Sequence, residues 1–142
     1  MKYRLRNVTR GTVLGEAIDV ADTSAKRATG LLKHTELRAG EGLWIVPCEG
    51  VHTFFMKFPL DLVYIDKKNV VRKVVRNVPP WRASFCLMAH SIVELPVGTI
   101  AASGTGKGDQ VEFEAMPASV REVPFAARRP DRSPPRHRLL NW

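Results

Sequence analysis

The sequence predicts a mainly β fold, a compact antiparallel sandwich or barrel of jelly-roll type with one early α-helix and a flexible C-terminal tail. Short apolar runs recur along the chain, turn residues separate them, and one early stretch repeats its apolar residues at the helical period. With 142 residues, 44% of them apolar and 25% charged, the chain has room for one ordinary domain with its own core.

One helix is predicted early in the chain. Residues 22–24 offer side-chain oxygens that can cap its N-terminus. Apolar residues between Ala25 and Leu32 then recur at helical spacing, which gives the helix one apolar face. Gly30 interrupts the pattern and costs about 1 kcal/mol relative to alanine. It therefore indicates either close packing or an early end of the helix.

The predicted strands are short and begin with a β-hairpin that turns at residues 9–11. The segment 104–109 is glycine-rich, but it lacks the Walker spacing of a phosphate-binding loop and is predicted to be a hairpin loop. The predicted strands are residues 3–8, 12–20, 43–46, 51–56, 60–65, 70–75, 91–95, 99–102 and 111–114.

The charge of the chain is divided unevenly. The net charge is +8, and residues 117–142 carry +4 of it together with five of the ten prolines. A segment so rich in proline and charge buries too little apolar surface to offset the entropy lost when a chain becomes ordered. We therefore expect a single β-rich domain over residues 1–116 and a disordered Pro/Arg-rich tail over 117–142. The tail is a candidate for salt-sensitive contact with a polyanion. The arginines that would make this contact are Arg128, Arg129, Arg132, Arg136 and Arg138.

The chain has no continuous apolar run typical of a signal peptide or of a membrane span. A cytoplasmic location is therefore predicted. Because the cytosol keeps most cysteines reduced, Cys48 and Cys86 are expected to be thiols or metal ligands rather than a disulfide.

Five different motifs follow one another over about two-thirds of the chain: Arg27-Ala28-Thr29-Gly30-Leu31, Gly42-Leu43-Trp44, Phe55-Met56-Lys57-Phe58-Pro59-Leu60-Asp61, Val93-Glu94-Leu95-Pro96-Val97-Gly98 and Gly108-Asp109. In this order and spacing the chain resembles the uncharacterised prokaryotic family called domain of unknown function 192 (DUF192). The resemblance implies a mostly β, sandwich-like fold with an early helix, and no established activity. The chain departs from the family pattern at Phe55, where tryptophan is usual, and at Phe58-Pro59, which replaces Asn-Thr.

Two Cys-x-x-x-His pairs form the most specific local feature, Cys48 with His52 and Cys86 with His90. Two cysteines and two histidines are a complete ligand set for zinc, and the addition of Met56 and Met88 would suit copper. On a straight strand the two members of a pair would lie about 13 Å apart, too far to chelate one ion. A structural role for the four residues is favoured over a metal site.

A thiol-dependent enzyme is the second chemical hypothesis. A cysteine beside a histidine can ionise and become a nucleophile. Either pair could serve, with Asp61 or Glu94 as the orienting acid. The papain-like and caspase-like local signatures are absent, so a structural role for the pairs is again favoured.

The polar and aromatic residues that cluster in sequence lie in segments 51–61 and 79–82. Asp61 has the strand parity of Val63 and Ile65, so its carboxylate is expected to face apolar surroundings and to need a partner. We therefore expect a small accessory or ligand-binding module for an unknown small ligand or protein, without established catalysis. The candidate ligand-binding residues are His52, Met56, Lys57, Asp61, Trp81 and Arg82.

Overall fold

The computed structural model of the chain describes residues 2–32 and 34–117. Apart from Pro117, the predicted tail and its arginines lie outside the described residues. The helices are α1 (Ser24–Thr29) and α2 (Thr99–Ser103). The strands are β1 (Lys2–Asn7), β2 (Thr12–Ala21), β3 (Glu41–Ile45), β4 (Gly50–His52), β5 (Leu60–Ile65), β6 (Val71–Val78), β7 (Ala83–Phe85), β8 (Ser91–Leu95) and β9 (Val111–Met116).

Seven strands form one sheet in the order β6-β5-β8-β3-β2-β1-β9, and β4 pairs with β7 in a second, small sheet. The mainly β class is confirmed. The large sheet is mixed rather than purely antiparallel, because β2 and β3 run parallel. Its outer strands approach each other where Val70 bridges to Gln110 and where Val71 N donates to Asp109 O at 2.8 Å. The sheet thus curls back on itself.

Both faces of the large sheet are covered, and β5 shows this most clearly because all six of its residues are buried. Side chains alternate between the two faces of a strand. Val63 and Ile65 therefore face an inner core, which includes Ile18, while Leu62 and Tyr64 face an outer core. The outer core is covered by residues from the α1 region and from the segments around the small sheet.

The predicted strand at residues 99–102 is wrong, since these residues lie in α2. A four-residue run is too short to separate the helical period from the strand period. Glycines with positive φ flank the helix, Gly98 at 98° and Gly104 at 67°. The Asp61 carboxylate accepts hydrogen bonds from the backbone N–H groups of Gly98 and Ile100, at 3.1 and 3.0 Å. A distant acid thus caps the first turn of α2.

The other predicted elements agree more closely with the structure. The opening hairpin is formed by β1 and β2, and the early helix ends at Gly30, whose N–H closes the last turn on Lys26 O. The strand predicted at 51–56 is shorter, because it ends at His52 and a turn follows. Strand β7 was not predicted at all.

Gly42 allows β3 and β8 to pack closely against the inner core. A Cβ atom at this position would lie 2.8 Å from the backbone oxygen of Glu94 and 2.9 Å from Leu95. Such distances are shorter than real Cβ atoms tolerate, so any larger residue would push β8 away. Gly42 therefore helps to fix the position of Glu94.

Candidate functional site

A cavity of about 340 Å³ lies between α1, the segment around β4, and β8. We call it the Glu94 cavity. Its volume is near the lower end of the range for small-molecule sites. Its apolar lining includes Leu31, Leu32, Ile45, Val51 and Met56, and its polar lining includes Arg27, Cys48, His52 and Glu94.

Glu94 is the group that sets the chemistry of this cavity. It shares the outer-core face of β8 with Ile92 and is only 6% exposed. Its side chain forms no hydrogen bond or ion pair with another of the described residues. Burial raises the pKa of the Glu94 carboxyl from 4.5 to about 7, because the charged form loses its hydration. At neutral pH the group therefore exists as comparable amounts of acid and carboxylate.

Cys48 lies beside Glu94 and retains its proton. Its thiol donates a hydrogen bond to Gly50 O at 3.0 Å. Burial raises the pKa of the Cys48 thiol, and the negative charge of Glu94 raises it further, although the Gly50 backbone and Arg27 oppose this in part. Because the thiolate is the nucleophilic form, the surroundings of Cys48 disfavour the thiol-dependent chemistry considered as an alternative above.

Arg27 is held at the cavity by α1. The hydroxyl of Thr23 accepts from Lys26 N at 3.2 Å and caps the helix. The Arg27 guanidinium then donates to the carbonyl oxygens of Asp22 and Val46, at 3.0 and 3.3 Å. The side chain is therefore anchored to the protein by its own hydrogen bonds.

Tyr64 lies in the outer core near the same groups. Its hydroxyl is buried beside the Ser84 side chain. Burial raises the pKa of Tyr64, the Ser84 side chain lowers it in part, and the neighbouring Cys48, Cys86 and Glu94 raise it. Several ionisable groups thus share one poorly hydrated region next to the cavity.

An exposed aromatic surface adjoins the cavity and consists of His52, Phe54, Phe55 and Trp81. Phe54 stacks between His52 and Trp81, with ring centroids 4.9 and 5.8 Å apart, and Phe55 lies 4.8 Å from Trp81. Phe55 is 71% exposed and Trp81 56%. Both have positive φ, 64° and 67°, a conformation that is costly for residues with a Cβ.

Thr53 joins the two segments that carry these rings. Its N–H donates to Arg82 O at 2.7 Å, its carbonyl accepts from Trp81 N at 3.0 Å, and its hydroxyl donates to Pro79 O at 2.7 Å. The structure therefore brings the predicted segments 51–61 and 79–82 together. His52 belongs to both the aromatic surface and the lining of the Glu94 cavity, so the two features are continuous.

The candidate ligand-binding residues fall into four places. His52 and Met56 line the cavity, whereas Trp81 and Arg82 belong to the segment bearing the aromatic surface. Lys57 is exposed and is not part of the cavity lining. Asp61 lies elsewhere, because its carboxylate accepts three backbone hydrogen bonds from Asn77, Gly98 and Ile100.

The four candidate zinc or copper ligands, for which the sequence favours a structural role, are not brought together in the described part of the chain. Residues 2–32 and 34–117, which include all four predicted Cys and His ligands, contain no group of three or more His, Cys, Asp or Glu side chains able to hold a metal ion. Cys48 and His52 line the Glu94 cavity, whereas His90 lines a separate cavity with Asp66 and Arg72. The two cysteines are free thiols that pack against the outer core.

Sequence reasoning did not select Glu94 as a ligand-binding residue and named it only as a possible orienting acid. The available signal was its position in residues 91–95, where it is the one charged residue of a short strand whose five residues are all buried. A buried acid of this kind is often functional or paired. No comparable sequence signal places Arg27 at the same cavity.

The sequence pattern of the family DUF192, described as "Uncharacterized ACR", matches residues 6–113. The chain belongs to this family. Among DUF192 relatives, a "UPF0127 protein" from Thermococcus sibiricus is 31% identical over 118 residues, covering 78% of this chain and 74% of the relative. Another from Thermococcus gammatolerans is 27% identical over 126 residues, covering 83% and 80%. The family has no established function or catalysis.

Two solved structures share the DUF192 fold seen here. A protein of unknown function from Novosphingobium aromaticivorans has a TM-score of 0.68 and 24% identity, covering 79% of this chain and 84% of that one. A Sinorhizobium meliloti protein described as a candidate transcription regulator has a TM-score of 0.72 and 21% identity, covering 80% and 94%. At these identities the likeness establishes the fold alone. None of the helices in the described residues has the length and apolar character to cross a membrane.

Proposed function

We propose that this DUF192 protein is a small-molecule-binding module whose site is the Glu94 cavity, with the aromatic surface at its mouth. The observation that carries the proposal is Glu94 itself. A nearly fully buried carboxyl without a protein partner is costly to the fold, and it lines a cavity of ligand size. Proteins tolerate such costs mainly at functional sites. We also propose a cytoplasmic location, supported by the two free cysteines.

The surroundings favour binding over thiol catalysis. Cys48 keeps its proton because burial raises the pKa of its thiol, and His52 stacks on Phe54 at the surface. The apolar walls instead suit a ligand with an apolar body, whose burial would supply most of the affinity. The exposed rings add stacking surface at the entrance.

The test uses three small probes of similar shape, benzylamine, benzyl alcohol and benzoate, added to the full chain carrying 13C-labelled methyl groups. We expect at least one probe to shift the methyl resonances of Leu31, Val51 and Met56 in a saturable manner. Ala28→Trp should abolish these shifts, because Ala28 is exposed and lines the cavity. Ala25→Trp is the matched control on the same helix and should leave them unchanged.

If no probe shifts these methyl groups, the Glu94 cavity is not a ligand site and the proposal is wrong. Shifts that survive Ala28→Trp would equally contradict it, since they would place the probe elsewhere. The thermal unfolding of both tryptophan variants shows whether each is folded before its spectra are compared.

A further inference from the structure

We infer that the ligand of the Glu94 cavity carries a protonated amine on a compact apolar body, with Glu94 as the counter-ion of the amine. This inference rests on the proposed function and specifies its ligand class. Three observations support it: the unpartnered carboxyl inside the cavity, the lack of a metal-binding group among the described residues, and the apolar walls of the cavity.

Glu94 is the source of negative charge in the cavity. The neighbouring Cys48 and Tyr64 retain their protons, because burial raises the pKa of both groups. Arg27 supplies a positive charge but forms no ion pair with Glu94, because its guanidinium donates instead to three neutral acceptors, Asp22 O, Val46 O and the Ser24 hydroxyl. Within the described part of the chain, the Glu94 carboxyl is thus an ionisable group of the cavity that is left without a protein partner.

A cation is the natural partner of such a group. An ionised carboxylate in apolar surroundings is stabilised strongly by one opposite charge within hydrogen-bond distance, because the medium screens the pair weakly. An anionic ligand would instead meet like-charge repulsion from the same carboxylate. The Glu94 carboxylate therefore favours an amine over a carboxylic acid as the ligand.

A metal ion is the less suitable cation. Metal ions in proteins require several ligands, and residues 2–32 and 34–117 offer no group of three or more His, Cys, Asp or Glu that could provide them. An ammonium group requires only one carboxylate and leaves the rest of the molecule apolar. Leu31, Ile45 and Val51 provide walls for that apolar part.

The experiment compares benzylamine with benzyl alcohol and benzoate on the full-length wild-type chain at pH 8, where Glu94 is mainly ionised and benzylamine is protonated. The dissociation constant of each probe is measured by NMR titration of the cavity methyl groups. We expect benzylamine to bind about tenfold or more tightly than benzyl alcohol, as for other desolvated charge pairs. Benzoate should bind more weakly than the alcohol.

Glu94→Gln removes the charge and keeps the shape of the side chain. The preference for benzylamine over benzyl alcohol should disappear in this variant, while binding of the alcohol changes little. Because the wild-type comparison of the three probes does not need the variant, the test stays decisive even if Glu94→Gln folds poorly. Ala28→Trp again serves to show that the probes occupy the cavity.

Three results would overturn the inference in distinguishable ways. Equal binding of the amine and the alcohol to the wild-type chain would show that the cavity takes ligands but does not select amines. An amine preference that persists in Glu94→Gln would assign the selection to another residue. Failure of all three probes to bind would overturn the proposed function together with this inference.

Discussion

Two buried acids on neighbouring strands, Asp61 on β5 and Glu94 on β8, differ in whether the protein provides hydrogen bonds to their carboxyl oxygens. Both lie on interior strands of the large sheet, where β5 pairs with β8, and Asp61 is 1% exposed against 6% for Glu94. Asp61 faces away from the outer core and accepts three backbone hydrogen bonds. Glu94 faces the outer core and the cavity, with no hydrogen-bond partner among the described residues.

The difference shows that burial alone does not identify a functional acid. A buried carboxylate whose oxygens are all engaged by the protein stabilises the structure that engages it. A buried carboxyl left without a partner lowers the stability of the fold, and proteins retain such a group mainly where function requires it. We therefore assign Asp61 to the architecture and Glu94 to the binding site. Substitutions of the two acids should change stability in opposite directions.

The largest effect is expected for Asp61→Ala. The substitution leaves the N–H groups of Asn77, Gly98 and Ile100 without their acceptor, and α2 loses the cap of its first turn. The free energy of unfolding at pH 7 should fall by about 3 to 5 kcal/mol. Urea denaturation measures this loss. Asp61→Asn, which keeps one acceptor oxygen, should lose less, whereas a loss below about 1 kcal/mol for alanine would remove the contrast between the acids.

Glu94→Gln should instead stabilise the protein at high pH. Burial raises the pKa of Glu94, so the folded wild-type chain keeps its full stability only while the carboxyl is protonated. Its free energy of unfolding falls as the pH rises from 4.5 through about 7. The difference between these two pKa values corresponds to about 3 kcal/mol.

We therefore expect the variant to unfold with a free energy higher than wild type by about 3 kcal/mol at pH 8, and with a much smaller difference near pH 5. Urea denaturation of both proteins at the two pH values provides the measurement. A variant less stable than wild type at pH 8 would mean that Glu94, like Asp61, is engaged by the structure.

A smaller effect concerns the aromatic surface. Phe55 combines a positive φ of 64° with a ring that is mostly exposed, so its backbone strain is not repaid by burial of its own side chain. Phe55→Gly should be more stable than Phe55→Ala by about 1 kcal/mol, because only glycine adopts this conformation without cost. Thermal unfolding of the pair measures the difference. Equal stabilities would indicate that the loop relaxes and that the ring is not held in place for a ligand.

Much of the fold could be predicted from local pattern. Strands β5 and β8 begin and end where the sequence predicts them, since their apolar runs have clear bounds. The segment 99–102 was predicted wrongly, because its helical form depends on Asp61, which lies about forty residues earlier in the chain. Strand β7 is short and largely exposed, so its sequence carries little hydrophobic signal.

The candidate site was harder to predict, because it depends on where side chains point. The spacing of Cys48 and His52 repeats in Cys86 and His90, yet His90 lines a different cavity. The parity of Asp61 correctly indicated an acid that needs partners, but the partners are three backbone N–H groups in two separate segments, Asn77 in β6 and Gly98 and Ile100 at the start of α2. The role of Glu94 depends on two features, a cavity beside it and the lack of a hydrogen-bond partner among the described residues. Neither can be inferred from the alternation of residues along a strand.

The most direct test of the account is the titration of the Glu94 carboxyl itself. Its 13C chemical shift can be followed with pH in the full chain, with assignment by comparison with Glu94→Gln. We expect a midpoint near pH 7, as burial without a partner requires. A midpoint near the ordinary value of 4.5 would show that the carboxyl is hydrated or paired, and would contradict its role as the unpartnered acid of a ligand-binding cavity.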